Sequence, residues 1–223
     1  MYSLHEAIRR LHSRLDDGIV VVKRLERGTF VAYHREQRQK GSTSMTTAEY
    51  LQTPETVLPR ELAYGVLRVA ESPTAHHQRI VRDLTIALHG HTTARQLGEV
   101  LPAPMDVILD YDAALVVQPD ILFVSAERAS IVSDRVHGAP DLVVEVLSPH
   151  PRVGRLEERV AWFARYGVRE CWLIDLARRA IVVLAFHDGV TSERALVAGP
   201  NTIESTVLPD LKLSAASIFG YLA

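Results

Sequence analysis

Two acidic residues stand inside apolar runs, where local physics disfavours a charge. Glu145 interrupts Asp141–Leu147, in which Leu142, Val143, Val144, Val146 and Leu147 have the pattern of a buried strand. Asp120 interrupts a second run, Leu115–Val124, with Pro119 directly before it to prevent a regular interior ladder. A carboxylate so placed has to be paired, neutralised or bound to a cation, because burying a lone charge costs on the order of several kcal/mol. For Glu145 by itself, an edge strand with the side chain solvated or salt-bridged to an arginine explains as much. Two acids on separate strands open a second reading, since Mg2+ and Mn2+ take oxygen ligands gathered from different elements.

The elements that must position these acids follow from spacing. After the Glu145 strand, Ser148, Pro149 and Pro151 end any β continuation. A helix is expected from near Arg155, with Leu156, Val160 and Phe163 on one face and Gly167 as its C-terminal cap. Cys171–Leu176 then gives another apolar strand, completing a strand, helix, strand unit compatible with a mixed sheet. Upstream, Thr46 and Thr47 cap a short helix, Arg60–Val69 reads as a strand, and Ala75–Arg95 as a helix with Ile80, Leu84 and Leu88 inward. Glu99–Leu109 is expected as a strand interrupted by prolines, Ala180–Phe186 and Glu193–Val197 as paired strands, and a last short helix begins near Ser214.

Composition bounds the rest. The 223 residues are 47% hydrophobic and 23% charged, enough for one good core or one core with an appendage. No apolar stretch approaches the roughly 18 to 20 residues of a membrane helix, and no signal-peptide core is visible, so the expected compartment is the cytoplasm. The single cysteine, Cys171, excludes an internal disulfide and a thiolate zinc site and is read as packing. The net charge of −2 is no advertisement for nucleic acid, so a chain that handles phosphates would need a local basic patch or metals.

Residues 1–44 stand apart, with nine Lys or Arg against five Asp or Glu. A short helix carrying Leu4, Ile8, Leu11 and Leu15, a hairpin of Ile19–Val22 and Thr29–Tyr33, and a polar linker are expected there. In the helix from Ala75, the histidines His76, His77, His89 and His91 lack the spacing of a zinc pair flanked by a catalytic glutamate. Near the start of that helix Arg79 is placed to contact a phosphate.

The ordered series VQPDILFVSAER, PDLVVEVLSP and a helix ending GVRECWLID resembles the Uma2 family, a bacterial group assigned to the endonucleases within the PD-(D/E)xK superfamily. The likeness runs from about Met45 to the C-terminus. It implies an α/β fold with a restriction-endonuclease-like core, a mixed central β-sheet flanked by helices, in residues 45–223, behind a small N-terminal extension over 1–44. It also implies that Asp120 matches the aspartate of the PD element and Glu145 the second acid. Leu147 stands where the superfamily has lysine, and Arg159 stands where Uma2 proteins typically carry one on the following helix; Arg155 stands where an aspartate is common. Glu61 matches a glutamate of the upstream segment and so becomes a third acid of the site, although Tyr64 and Val66 replace further acids there. His77 matches a His-Gln start to the long helix and becomes a residue lining the site.

The function so implied is Mg2+- or Mn2+-dependent hydrolysis of DNA phosphodiester bonds through Asp120 and Glu145. Arg159 would support it electrostatically, since a guanidinium stays protonated and cannot be a general base. A homodimer is compatible with cutting two strands. Two other readings stay open: a catalytically lapsed nuclease fold that binds nucleic acid or protein, and a metal-dependent hydrolase of a small phosphoester.

Overall fold

The structure is a computed structural model and describes residues 19–24, 30–35, 44–54, 58–70, 72–147 and 156–220. The expected N-terminal helix lies outside these residues, as do Ser148, Pro149 and Arg155. Contacts divide the chain into Met1–Thr43 and Ser44–Ala223. In the first unit, β1 (Ile19–Arg24) and β2 (Phe30–Arg35) pair antiparallel, Ile19 opposite Arg35 and Arg24 opposite Phe30.

The second unit has two mixed sheets. Helix α1 (Thr47–Leu51) opens it with the expected cap: Thr46 and Glu49 exchange side-chain and backbone hydrogen bonds. Arg60–Val69 is a hairpin instead of one strand, β3 (Arg60–Ala63) and β4 (Val66–Val69). Tyr64 and Gly65 both take positive φ at its turn, and a Cβ on Gly65 would fall 1.9 Å from the Ser44 hydroxyl. Helix α2 (Ala75–Arg95) follows, its first turn capped by Thr74.

The two proline-containing runs also divide. Glu99–Leu109 becomes β5 (Gly98–Pro102) and β6 (Val107–Asp110), and Leu115–Val124 becomes β7 (Leu115–Val117) and β8 (Ile121–Ser125). In each case the halves join different sheets. Proline removes a ladder donor where the chain leaves one sheet for the other, and Gln118, Pro119 and Asp120 form the second crossing. A 3₁₀ turn at Ala126–Ile131 leads to β9 (Val136–His137), β10 (Leu142–Leu147), helix α3 (Leu156–Tyr166), β11 (Glu170–Asp175), β12 (Ala180–His187), β13 (Val190–Ala198) and helix α4 (Ala215–Phe219). The C-terminus of α3 closes as expected: Gly167 has φ +98 and the Val168 N–H returns to the Phe163 carbonyl at 3.0 Å.

The six-stranded sheet runs β13-β12-β11-β10-β8-β5 and the five-stranded sheet β4-β3-β7-β6-β9. β10 pairs parallel with β11 and antiparallel with β8, so Glu145 is on an interior strand. The edge-strand reading of Glu145 is thereby corrected. Alternation sorts the sheet's two faces. Ile121, Leu142 and Val144 pack with Ile80, Leu84 and Leu88 of α2, while Leu122 and Val143 pack with Trp162 and Phe163 of α3 and with Val107, Leu115 and Val117 of the smaller sheet. Cys171 is buried in that second layer, and burial pushes its thiol well above the ordinary range, in keeping with a packing role. Among the described residues no helix is long and apolar enough to cross a membrane.

Candidate functional site

Register brings the two acids together. Val143 lies opposite Leu122 and Val144 opposite Ile121, so the next step along β10 sets Glu145 beside Asp120. Side-chain alternation then puts Glu145 on the α3 face, as the next but one after Val143. Asp120 sits just before β8, where the chain crosses between sheets, and its Oδ2 accepts the Val146 N–H at 2.7 Å. His77 of α2 approaches the same carboxylate with Nε2 at 3.2 Å. Asp120 is thus fixed from the α2 side and Glu145 from the α3 side, and the two meet at the strand end.

Glu145 is held by Arg159. The guanidinium donates Nη2 to Glu145 Oε1 and Nη1 to Glu61 Oε2, each at 2.5 Å. Helix α3 therefore spans from β10 to β3, joining the two sheets through one side chain. Arg159 is buried, while the neighbouring Glu158 pairs with Arg68 at 3.2 Å. Glu61 is buried too, and its other oxygen accepts the Gln118 N–H at 2.7 Å.

Exposure separates these residues into two kinds. The side chains of Asp120 and Glu145 keep 16% and 15% of their surface, against 4% for Glu61, 8% for Arg159 and 5% for His77. The two acids at the strand ends keep some contact with solvent, while the other three side chains are set behind them. His77, expected to line the site, is buried and has its ring turned to Asp120. Arg79 is exposed on α2, two residues on, about 200° around the helix from His77, and is not drawn into this network.

The electrostatics are unbalanced. Glu145 and Glu61 share one guanidinium with Asp120 close by, and Glu145 is pushed up to about 7, first by burial and then, against the pull of Arg159, by the charges of Asp120 and Glu61. Burial alone would lower Arg159, but Glu145 and Glu61 beside it raise it, so it stays protonated. The buried side-chain atoms that lack a hydrogen-bond partner among the described residues are His77 Nδ1, Gln118 Oε1 and Arg159 Nε. All three belong to side chains bonded into this site, and each has capacity for a further polar partner there.

Among the described residues no group of three or more His, Cys, Asp or Glu side chains is arranged to hold a metal ion by itself. What the residues offer is a pair of partly exposed carboxylates with negative charge left over. That donor set suits Mg2+, which is usually held by one or two carboxylates and completed by water and substrate phosphate, and does not suit a closed four-ligand zinc site.

Gln118 and the Val146 N–H escaped the sequence reading. For Gln118 a signal existed, a polar residue beside Pro-Asp between two apolar strands; its amide also donates to Asp106 at 2.8 Å, which Tyr50 holds at 2.9 Å. For a backbone N–H there was none.

Comparison with known proteins agrees with this architecture. Residues 47–216 match the family model of Uma2, described as "Putative restriction endonuclease". The chain belongs to the Uma2 family. The Uma2 chain is also similar in fold to a solved structure from Anabaena variabilis, described as a putative nuclease belonging to DUF820, with a TM-score of 0.70 and 19% identity over 80% of this chain and 99% of that one. At that identity the likeness is one of fold, and it bears out the nuclease-type α/β architecture. No curated protein matches the sequence.

Proposed function

We propose that this Uma2 protein is a divalent-metal-dependent nuclease that hydrolyses DNA phosphodiester bonds, with Asp120 and Glu145 holding Mg2+ or Mn2+. The observation that carries the reading is the surplus negative charge where Asp120 and Glu145, on neighbouring strands, keep some contact with solvent. DNA as substrate is supported by the family's description as a restriction endonuclease. A bound cation would supply a water of lowered pKa and neutralise charge on the scissile phosphate. The chain's own groups have separate tasks. Asp120, oriented by His77 and the Val146 N–H, and Glu145, oriented by Arg159, present oxygens at the strand ends. Arg159 cannot take a proton and acts as a fixed positive charge behind Glu145.

Plasmid and single-stranded DNA incubated with Mg2+ or Mn2+ test this directly. Wild type should cut, and Asp120→Asn or Glu145→Gln should lower the rate roughly 10²-fold or more, as loss of one central electrostatic group does elsewhere. Equal cleavage by wild type and Glu145→Gln rejects the assignment. A second reading, a lapsed nuclease fold that only binds nucleic acid, is favoured by the Arg159 bridge, which occupies one oxygen of Glu145. Cleavage by Arg159→Lys and not by wild type would select it. Cutting both strands is simplest for two sites related by a two-fold axis, so we further propose a homodimer, to be read from the mass in solution.

A further inference from the structure

Glu61 divides its two oxygens between the segment that carries Asp120 and the arginine that holds Glu145. Oε1 accepts the N–H of Gln118, two residues before Asp120, and Oε2 accepts from the guanidinium that also holds Glu145. Each oxygen has a donor inside the protein and the side chain is only 4% exposed. A metal ligand needs an oxygen directed at the ion, and Glu61 directs both of its own at protein donors.

We infer that Glu61 is a positioning residue that engages the second amino group of the Arg159 guanidinium, so that Arg159 holds Glu145 through Oε1 alone and leaves its other oxygen for a divalent cation. This rests on the metal reading proposed above. One guanidinium shared by two carboxylates neutralises neither, and at low local dielectric that division is felt strongly. If the charge of Glu61 is removed, Arg159 belongs to Glu145 alone and competes with the cation for it. If Arg159 is removed as well, the competitor is gone. Glu61 therefore acts on metal affinity through Arg159, without contact with the ion.

The test is Mn2+ titration of the full chain by calorimetry, without DNA, on wild type, Glu61→Gln, Arg159→Gln, the double variant and Glu145→Gln. Glu61→Gln should weaken Mn2+ binding about 10-fold, the lower end of effects seen for residues that orient metal ligands. The double variant should recover the affinity of Arg159→Gln alone. A double variant as weak as Glu61→Gln makes Glu61 a direct ligand and overturns the inference, and so does a Glu61→Gln that binds like wild type. If wild type binds no Mn2+, or Glu145→Gln binds it equally well, the metal reading fails first and this inference with it. Should Glu61→Gln not fold, Glu61→Asp carries the same test, because shortening the arm withdraws it from Arg159; rescue by Arg159→Gln is again the required result.

Discussion

Glu145 and Glu170 occupy adjacent strands of one sheet, both in apolar surroundings, and have opposite fates. Glu170, at the start of β11, is fully buried and accepts four hydrogen bonds from neutral donors: Trp172 Nε1 and Ser205 Oγ at 2.7 Å, and the Thr206 N–H and Oγ1 at 2.8 Å. Its charge is spread over a complete set of partners that tie the segment after β13 to the sheet. Among the described residues Glu145 has one donor, Arg159, which it shares with Glu61, and two negative neighbours. A buried carboxylate is therefore no mark of function by itself. What marks the site is charge that the protein leaves uncompensated, next to polar atoms without partners, at an edge that solvent reaches.

The sharpest way to break this contrast is to truncate the structural acid. Glu170→Ala should cost about 3–5 kcal/mol in urea unfolding, because buried donors of Trp172 and Thr206 lose their acceptor. Glu145→Gln should cost clearly less and yet lower cleavage roughly 10²-fold or more. If Glu145→Gln destabilises as much as Glu170→Ala, the two acids are alike and both structural.

Next in size is a pH effect. Glu145 titrates near 7 in the folded protein against 4.5 as its ordinary value, so between those limits the folded state binds more protons than the unfolded one. Its contribution to stability is present in full below pH 4.5 and is lost as pH rises through 7. The difference in unfolding free energy between wild type and Glu145→Gln should fall across that window; a flat difference would place Glu145 among the satisfied acids with Glu170.

His77 sharpens the comparison on the side of Asp120. His77→Phe should weaken Mn2+ binding about 10- to 100-fold by freeing the Asp120 carboxylate. His77→Gln, whose amide nitrogen can replace Nε2, should retain most of the affinity. Loss of equal size in both variants would point to packing. The smallest effect belongs to Arg79: Arg79→Ala should leave stability and Mn2+ binding unchanged and lower the salt slope of DNA binding by about one.

Much of this molecule was legible in one dimension. Apolar runs around Asp120 and Glu145, the capping box at Thr46, helical spacing through Ile80, Leu84 and Leu88, and the glycine after Tyr166 are local signals, because hydrogen bonding and side-chain direction repeat over a few residues. The motif order then led to the family and its fold. Two single strands were expected where the chain switches sheets at prolines, because a proline shows that a ladder stops and not where the next one forms.

The partnerships were decided only in three dimensions. Nothing in the sequence pairs Glu61 with Arg159, which are 98 residues apart, or says that Arg159 turns inward while Glu158 turns out to Arg68. Nor does local hydrophobic pattern, without the motif, distinguish Glu145 from Glu170. Both are acids in apolar strands, and only the packing of distant segments determines how many donors each receives and whether solvent reaches it. The kinds of groups available for chemistry belong to the sequence; how much charge remains on each is a sum over neighbours brought together by the fold.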